Sequence, residues 1–537
     1  MIVSGIKVLL VDGYIDDPAA LGVPPYISPM VRSVAGAVID TGAVVEYVTI
    51  DHIRKGLKIP KADVSVVLCG NTVPGRYLRS MPMSVNEIKN ITPKLSGWKL
   101  IGGSAASSDA ADSFNFAIKT DLAASLYDGL RGKEVDERLR NIDEWNRWMI
   151  LGADIVKDHH DYPQPLIAEV ETYRGCHRYM SGGCSYCIEP LKGEPLMRSP
   201  NDILDEVVRL KESGVRNIRI GGQTCIMSYG SKDHSGIPKP CPDIVNGLFT
   251  SLHEMRFDIL HVDNANASVI SEYPNESISI LETLADCCTS GNVLALGMES
   301  TDPVVIDTNN LNSTPNHVTN AVRMINCIGS ERGENGMPKL LPGLNLISGL
   351  DGETSRTYDL NINFLKKLYD EGLMIRRINI RQVLPIRRDF DTKVDHNKFK
   401  RYKQEIRNVI DAPMLERIVP SGTILKNVYL EIVDGGLTFG RQIGTYPLLI
   451  GIPYRTETDR FCDIIVTDHG FRSITGIEYP FPINTANMSA ISSLPGIGKK
   501  RAARIITSRP IKCKDDLVRA VDDELVTERL ANIISFE

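Results

Sequence analysis

Gly175-Cys176-His177-Arg178-Tyr179-Met180-Ser181-Gly182-Gly183-Cys184-Ser185-Tyr186-Cys187 is the stretch around which the rest of the chain is organised. Three cysteines stand there at C-x7-C-x2-C spacing. Apolar Leu166, Ile167, Ala168 and Val170 lead in as a strand, and Ser199-Pro200-Asn201-Asp202 opens a capped helix beyond it. Three thiolates converging within one short loop can hold a cube of iron and sulfide. They leave one iron without a protein ligand, open to chelate a substrate or cofactor. Zinc, with His177 as fourth ligand, is a competing reading, but a histidine next to Cys176 is poorly placed to close a tetrahedron with it. A disulfide fits less well, because three cysteines do not pair and the chain reads as intracellular.

The totals bound the answer. A chain of 537 residues suggests three or four domains. Hydrophobic content of 42% with 24% charged residues is ample for several cores. The net charge of −6 excludes a global basic field, so any nucleic-acid surface must be a local patch. Of eleven cysteines only three cluster. Cys69, Cys225, Cys241, Cys287, Cys288, Cys327, Cys462 and Cys513 read as small buried hydrophobes in a reducing cytoplasm. The apolar start, Ile6 to Val11, is too short for a signal peptide, and no run is long enough to span a bilayer.

Residues 1–115 alternate strand and helix: Lys7–Val11, helix Ser28–Thr41, then Ala43–Ile50, Val64–Cys69 closing in Gly70-Asn71-Thr72, and Leu100-Ile101-Gly102-Gly103. That is a doubly wound, Rossmann-like pattern. It resembles the cobalamin-binding-like domain that precedes many radical SAM cores. The cobalt-coordinating D-x-H-x-x-G of that family is replaced by Asp12-Gly13-Tyr14, and Asp51-His52 follows the wrong strand. Cobalamin is therefore not favoured, and a vestigial or docking domain is the alternative. With Cys69 alone, the second cluster of the comparable methylthiotransferase domain cannot form. Residues 116–165 read as a helical interdomain linker (Leu130 to Trp148), with Asp158-His159-His160-Asp161 as a solvated turn rather than a metal site.

Residues 166–390 repeat strand and helix about six times, with polar and glycine residues gathered at strand ends, as in a parallel barrel. The strand ends are Gly221-Gly222-Gln223-Thr224, Asp263-Asn264-Ala265-Asn266, Gly297-Met298-Glu299-Ser300, the Ser348–Glu353 turn and Gln382-Val383-Leu384. Together with the cysteine loop and the aromatic Tyr186 before its last cysteine, this span resembles the core of radical SAM enzymes, closest to the methylthiotransferase-like branch. The resemblance implies a partial (β/α)6 barrel, a four-iron four-sulfur cluster on Cys176, Cys184 and Cys187, and S-adenosylmethionine as cofactor. It implies that Gly221, Gly222 and Gln223 hold the cofactor's amino group. Gly297, Glu299 and Ser300 would lie near its ribose and methionine, and Gln382 along the adenine. The commonest loop in that family is C-x3-C-x2-C, four residues shorter, which weakens close substrate analogy. Asp263, Asn264 and Asn266 are further candidates, and Cys225 is either a catalytic thiol or a core residue.

Residues 391–417 are a charged helical connector, and 418–485 a run of short strands with glycine turns, read as a small β-barrel. Its position resembles the TRAM domain with which methylthiotransferases hold RNA. In 486–537, Leu494-Pro495-Gly496-Ile497-Gly498-Lys499-Lys500-Arg501 and Arg504 read as a hairpin between two helices, with exposed amides and basic side chains suited to phosphate. This resembles the helix-hairpin-helix motif of nucleic-acid-binding proteins and marks Gly496, Gly498, Lys499, Lys500, Arg501 and Arg504. The whole is expected to be an α/β cytoplasmic radical SAM enzyme, served by an external electron donor, that modifies RNA, foremost tRNA, at an unactivated carbon. The alternative is a radical SAM methylase, cobalamin-dependent if that cofactor binds, or other modifying enzyme for a protein or small molecule, with the hairpin as docking module. A third reading is a non-enzymatic nucleic-acid binder with a structural cluster.

Overall fold

Runs of buried valine and leucine, broken by capped helices, build the first part of the chain. The computed structural model describes residues 5–17, 20–70, 78–233 and 236–536. Asn71 and Thr72 of the expected third strand end lie outside the described residues. Two compact units form: Met1–Gly183 with Cys187–Val269 and Tyr273–Cys288, and Cys184–Tyr186 with Ile270–Glu272 and Thr289–Glu537.

In the first unit, β1 (Lys7–Asp12) is buried from Val8 onward. A strand buried on both faces belongs in the middle of a parallel sheet. β2 (Val44–Thr49), β3 (Val64–Leu68), β4 (Trp98–Gly102) and β5 (Phe116–Ala117) complete it in the all-parallel order β2-β1-β3-β4-β5. The first crossover helix, α1 (Pro29–Asp40), starts where Ser28 Oγ accepts the Met30 amide at 3.1 Å, with proline at its first position.

The span read as a linker is instead part of this packing. Phe116–Ala117 is the edge strand, and α2 (Leu122–Leu130) and α3 (Ile142–Leu151) lie on α1. Trp145 and Trp148 are fully buried. Their large apolar surfaces make this core, which the charges around them obscured in the sequence. The turn at His159-His160 is likewise not solvated. His159 and Asp161 are buried, and the two imidazoles stack at 4.6 Å.

The same unit carries β6 (Ile167–Glu171), α4 (Pro200–Glu212), β7 (Asn217–Gly221) and β8 (Ile259–Val262), in the parallel order β8-β7-β6, extended by the two-residue strand Tyr26–Ile27. Glu206 of α4 receives the guanidiniums of both Arg32 and Arg198, all three fully buried. Removing one partner of such a group costs about 3–5 kcal/mol, because it strands a buried charge.

The second unit has β9 (Asn292–Glu299), β10 (Leu340–Ser348) and β11 (Arg377–Gln382) as a parallel sheet in that order. The connector expected at 391–417 is α5 (His396–Ile406), a π-helical turn at Arg407–Asp411, and α6 (Ala412–Ile418). Pro413 has no N–H for the carbonyl four residues back, which accounts for the widened turn. Next, β12 (Ile424–Asp434), β13 (Leu437–Gln442), β14 (Leu449–Ile452), β15 (Arg460–His469) and β16 (Ser473–Tyr479) close a barrel in the order β12-β13-β14-β16-β15. The fold class is thus α/β with an appended small barrel, as expected. The chain ends in four short helices: α7 (Met488–Ser492), α8 (Lys499–Thr507), α9 (Lys514–Val521) and α10 (Glu524–Ala531). Among the described residues, no helix is long and apolar enough to cross a membrane.

Candidate active site

The strand ends hold most of the singled-out residues, but in two separate sets. In the first unit, β7 ends at Gly221, and Gly222 turns the chain out at φ 76°. Only glycine takes that conformation without strain. Gln223 is buried. Its Oε1 accepts from Thr172 Oγ1 at 3.3 Å, and its Nε2 donates to Asp263 O at 2.8 Å. The amide thus ties together the ends of neighbouring strands. Asn264 Nδ2 donates to Gln223 O at 3.1 Å, and Asn266 caps the next helix through Ser268. Arg219 bridges Glu169 and Asp263 in a buried triad beneath. Cys225 is buried, accepts the Asn266 amide, and has its thiol pKa raised by burial, which favours the core role over the catalytic one.

In the second unit, β9 runs to Glu299 through a β-bulge between Gly297 and Glu299. Glu299 itself sits at φ 54°, a conformation rare for a residue with a side chain. The bulge re-aims its carboxylate back over the strand, where Oε1 accepts from the Tyr186 hydroxyl at 2.9 Å. A Cβ on Gly297 would stand 2.6 Å from that same oxygen. Ser300 Oγ accepts the Asp302 amide at 3.2 Å. Gln382 closes β11, and its Nε2 is buried with no hydrogen-bond partner. Such an unmatched donor costs about 1–3 kcal/mol, which a ligand acceptor would offset.

The cysteine loop contributes to both units. Cys176 and Cys187 belong to the first and Cys184–Tyr186 to the second. Cys184 and Tyr186 pack on Val305, Ile306, Leu311 and Leu350. Ser185 Oγ donates to Asn309 Oδ1 at 2.8 Å, and Arg387 Nη1 to Cys184 O at 2.9 Å. Sequence reasoning missed Asn309 and Arg387. Their spacing from the loop carries no signal, since only the fold brings them there. All three thiols are partly exposed, and none is in a disulfide among the described residues. Burial holds the Cys176 thiol above its ordinary pKa against the pull of the Arg178 amide and guanidinium. A metal must therefore displace its proton. His177 Nδ1 pairs with Asp233 O at 2.9 Å. Among the described residues, no three His, Cys, Asp or Glu side chains are placed to hold a metal ion. A single zinc needs its ligands on one point, whereas an iron–sulfur cube gives each thiolate its own iron. The three-thiol donor set therefore fits the cube better.

The strand ends of the first sheet are internally satisfied. Asp12 accepts from the Tyr14 amide at 2.9 Å and from the Tyr47 hydroxyl at 2.8 Å, and Tyr14 Oη donates to Asp51 at 3.0 Å. Burial raises the Asp12 pKa to about 7, against the pull of these donors.

At the carboxyl end of the chain, the hairpin turns at Gly496 (φ 79°), and Gly498 precedes the first residue of α8. Lys499 and Lys500 are exposed. Arg501 reaches Gly496 O and Asp523, each at 2.7 Å. Arg504 reaches Val521 O at 2.6 Å and Asp522 at 3.3 Å. Both arginines are thereby engaged in bracing the hairpin on the last helical pair, which leaves the lysines as its outward charge.

No protein-family model matches the chain. The uncharacterized protein MJ0274 of Methanocaldococcus jannaschii is 41% identical over 507 residues, 88% of this chain and 93% of that protein. A tRNA-2-methylthio-N(6)-dimethylallyladenosine synthase of Thermus thermophilus is 25% identical over 350 residues, 63% of this chain and 68% of the relative. Among solved structures, the radical S-adenosylmethionine methyltransferase TsrM of Kitasatospora setae, with cobalamin and a 4Fe-4S cluster bound, matches at a TM-score of 0.48 and 14% identity, over 70% of this chain and 74% of that one.

Proposed function

The chain belongs to the same family as MJ0274, and from that premise we propose that it is a radical SAM enzyme whose substrate is RNA, foremost tRNA. The observation that carries the enzyme reading is the bond from Tyr186 to Glu299. It fastens the cysteine loop to the strand-end element that the family resemblance assigns to the cofactor.

Cys176, Cys184 and Cys187 would hold a four-iron four-sulfur cluster. Such a cluster, given one electron by an external donor, would supply with S-adenosylmethionine a 5′-deoxyadenosyl radical able to take hydrogen from an unactivated carbon, methionine leaving. The chain's own residues orient and enclose. Asn309 and Arg387 hold the loop around Cys184 and Ser185 from behind. Glu299, set by its bulge, offers a carboxylate at the end of β9. Gln382 offers an unmatched amide donor at the end of β11.

The RNA reading rests on the exposed Lys499 and Lys500 at the start of α8, where backbone amides and positive charge suit a phosphate. The Thermus relative is named for a tRNA modification, which favours the same reading. Such contacts position a substrate without reading its sequence. Nucleoside mass spectrometry of tRNA and rRNA from cells with and without the gene tests the proposal. A modified nucleoside missing without the gene supports it, and its mass gives the group added. Unchanged RNA rejects RNA as substrate and leaves the protein or small-molecule alternative.

A further inference from the structure

In the second unit, the π-helical turn, the first residues of β11 and the turn joining β15 to β16 meet at a small pocket of about 30 Å³ that opens to solvent. Arg376, Arg377, Arg472 and Asp411 line it, over an apolar floor that includes Met414 and Leu448. Arg407 stands close to Asp411 and Arg472, and Lys403 close to Arg407 and Arg472. Arg376 donates to Tyr446 O at 3.0 Å, and the Arg377 guanidinium lies 3.8 Å over the Tyr446 ring.

The charges here do not balance. Among the described residues, Asp411 is the one carboxylate acting on Arg376 and Arg472, and none of the four arginines forms an ion pair within 4 Å. The three guanidiniums and one carboxylate that line the pocket leave an excess of two positive charges. Burial and the neighbouring Arg377 and Arg472 push the Arg376 pKa down to about 10. Burial pushes Asp411 up to about 6 even beside these cations, so its charge is only weakly secured. Half-buried Arg441 in the same unit, by contrast, has the Glu431 carboxylate as partner. An array of like charges on an apolar floor is destabilising by itself, and an anion supplied from outside would neutralise it. Planar guanidinium forks match phosphate oxygens in pairs.

We propose that this pocket is a phosphate-binding site in which Arg376, Arg377 and Arg472 share one phosphate group. It is separate from the strand-end residues. Arg377 and Gln382 are the first and last residues of β11, roughly 16 Å apart along the strand. The phosphate is either a backbone phosphodiester of an RNA or part of a small phosphorylated molecule. The site stands on its own charges in either case, whatever the substrate of the cysteine-loop chemistry.

The test uses the full chain with Arg377→Gln/Arg472→Gln, and Arg472→Gln alone as a milder, exposed change. Pyrophosphate binding is followed by calorimetry at fixed ionic strength, and tRNA binding as a function of salt. Thermal midpoints without ligand report folding, and they are expected to stay level or rise, since a repulsion is relieved. For a small phosphorylated ligand, pyrophosphate affinity falls at least tenfold in the double variant while the salt slope for tRNA holds. For an RNA phosphodiester, that slope falls by about 0.7–0.9, the loss of one phosphate contact. Pyrophosphate binding and tRNA salt slope both the same in wild type and the folded variants would overturn the proposal.

Discussion

The Tyr186 hydroxyl donates to Glu299 Oε1 at 2.9 Å, joining the last spacer residue of the cysteine loop to a strand end 113 positions away. Losing the hydroxyl leaves the Glu299 carboxylate without this anchor. Tyr186→Phe is expected to leave cluster iron unchanged and to lower 5′-deoxyadenosine formation about tenfold, the scale of one hydrogen bond to a charged group. Anaerobic iron assay and product chromatography check it. Loss of iron in this variant would show that Tyr186 serves the cluster rather than Glu299.

Gly297 tests the same geometry from the other side. A Cβ there meets Glu299 Oε1 at 2.6 Å, the movable end of a side chain rather than backbone. Gly297→Ala should therefore displace the carboxylate with less than about 1 kcal/mol of lost stability. The expected readout is weaker S-adenosylmethionine binding at a nearly unchanged thermal midpoint. A large midpoint drop would mean the strand itself needs the glycine.

The cluster assignment is tested by Cys176→Ala/Cys184→Ala/Cys187→Ala. Anaerobic reconstitution of the variant should yield no cluster iron and no cleavage of S-adenosylmethionine. Cluster absorbance that survives in the triple variant would place the ligands elsewhere among the eleven cysteines.

Asp12 makes stability depend on pH. Its pKa is about 7 when folded and 3.8 when unfolded, so the native state binds the extra proton between those values. Stability from this group is full below about 4 and is lost as pH rises to about 7. Asp12→Asn removes that loss. Denaturant titrations should find the variant more stable than wild type at pH 8, by an amount of order a few kcal/mol that shrinks toward pH 4. A pH-independent difference would show that Asp12 is ionised throughout.

Lys499→Ala/Lys500→Ala should weaken tRNA binding about tenfold near 0.1 M salt and lower the salt slope by about 1.4–1.8. Because both side chains are exposed, the fold should be untouched. Filter binding over a salt series checks it, and an unchanged slope would remove the hairpin from the RNA surface.

Local patterns in the chain announce most of the architecture. Buried runs such as Val8–Val11 and Val64–Leu68 are continuous in sequence, and Ser28-Pro29 and Ser199-Pro200 start helices by bonds within a few residues. The cysteine spacing, the strand-end glycines and the Leu494–Gly498 turn are readable for the same reason. Their chemistry depends on residues close in the chain.

Other features depend on distance and were decided by the fold. Trp145 and Trp148 lie in a charged stretch and became core only by packing on α1. Arg501 and Arg504 read as basic contacts, yet the helices that follow placed Asp523 and Asp522 beside them. The bulge that turns Glu299 toward Tyr186 leaves no mark in the order of residues. The same holds for Arg376, Arg407 and Arg472, gathered around Asp411 from three segments. Composition and spacing report what neighbours in sequence can do together, but burial and pairing across a hundred residues are set only when the chain closes on itself.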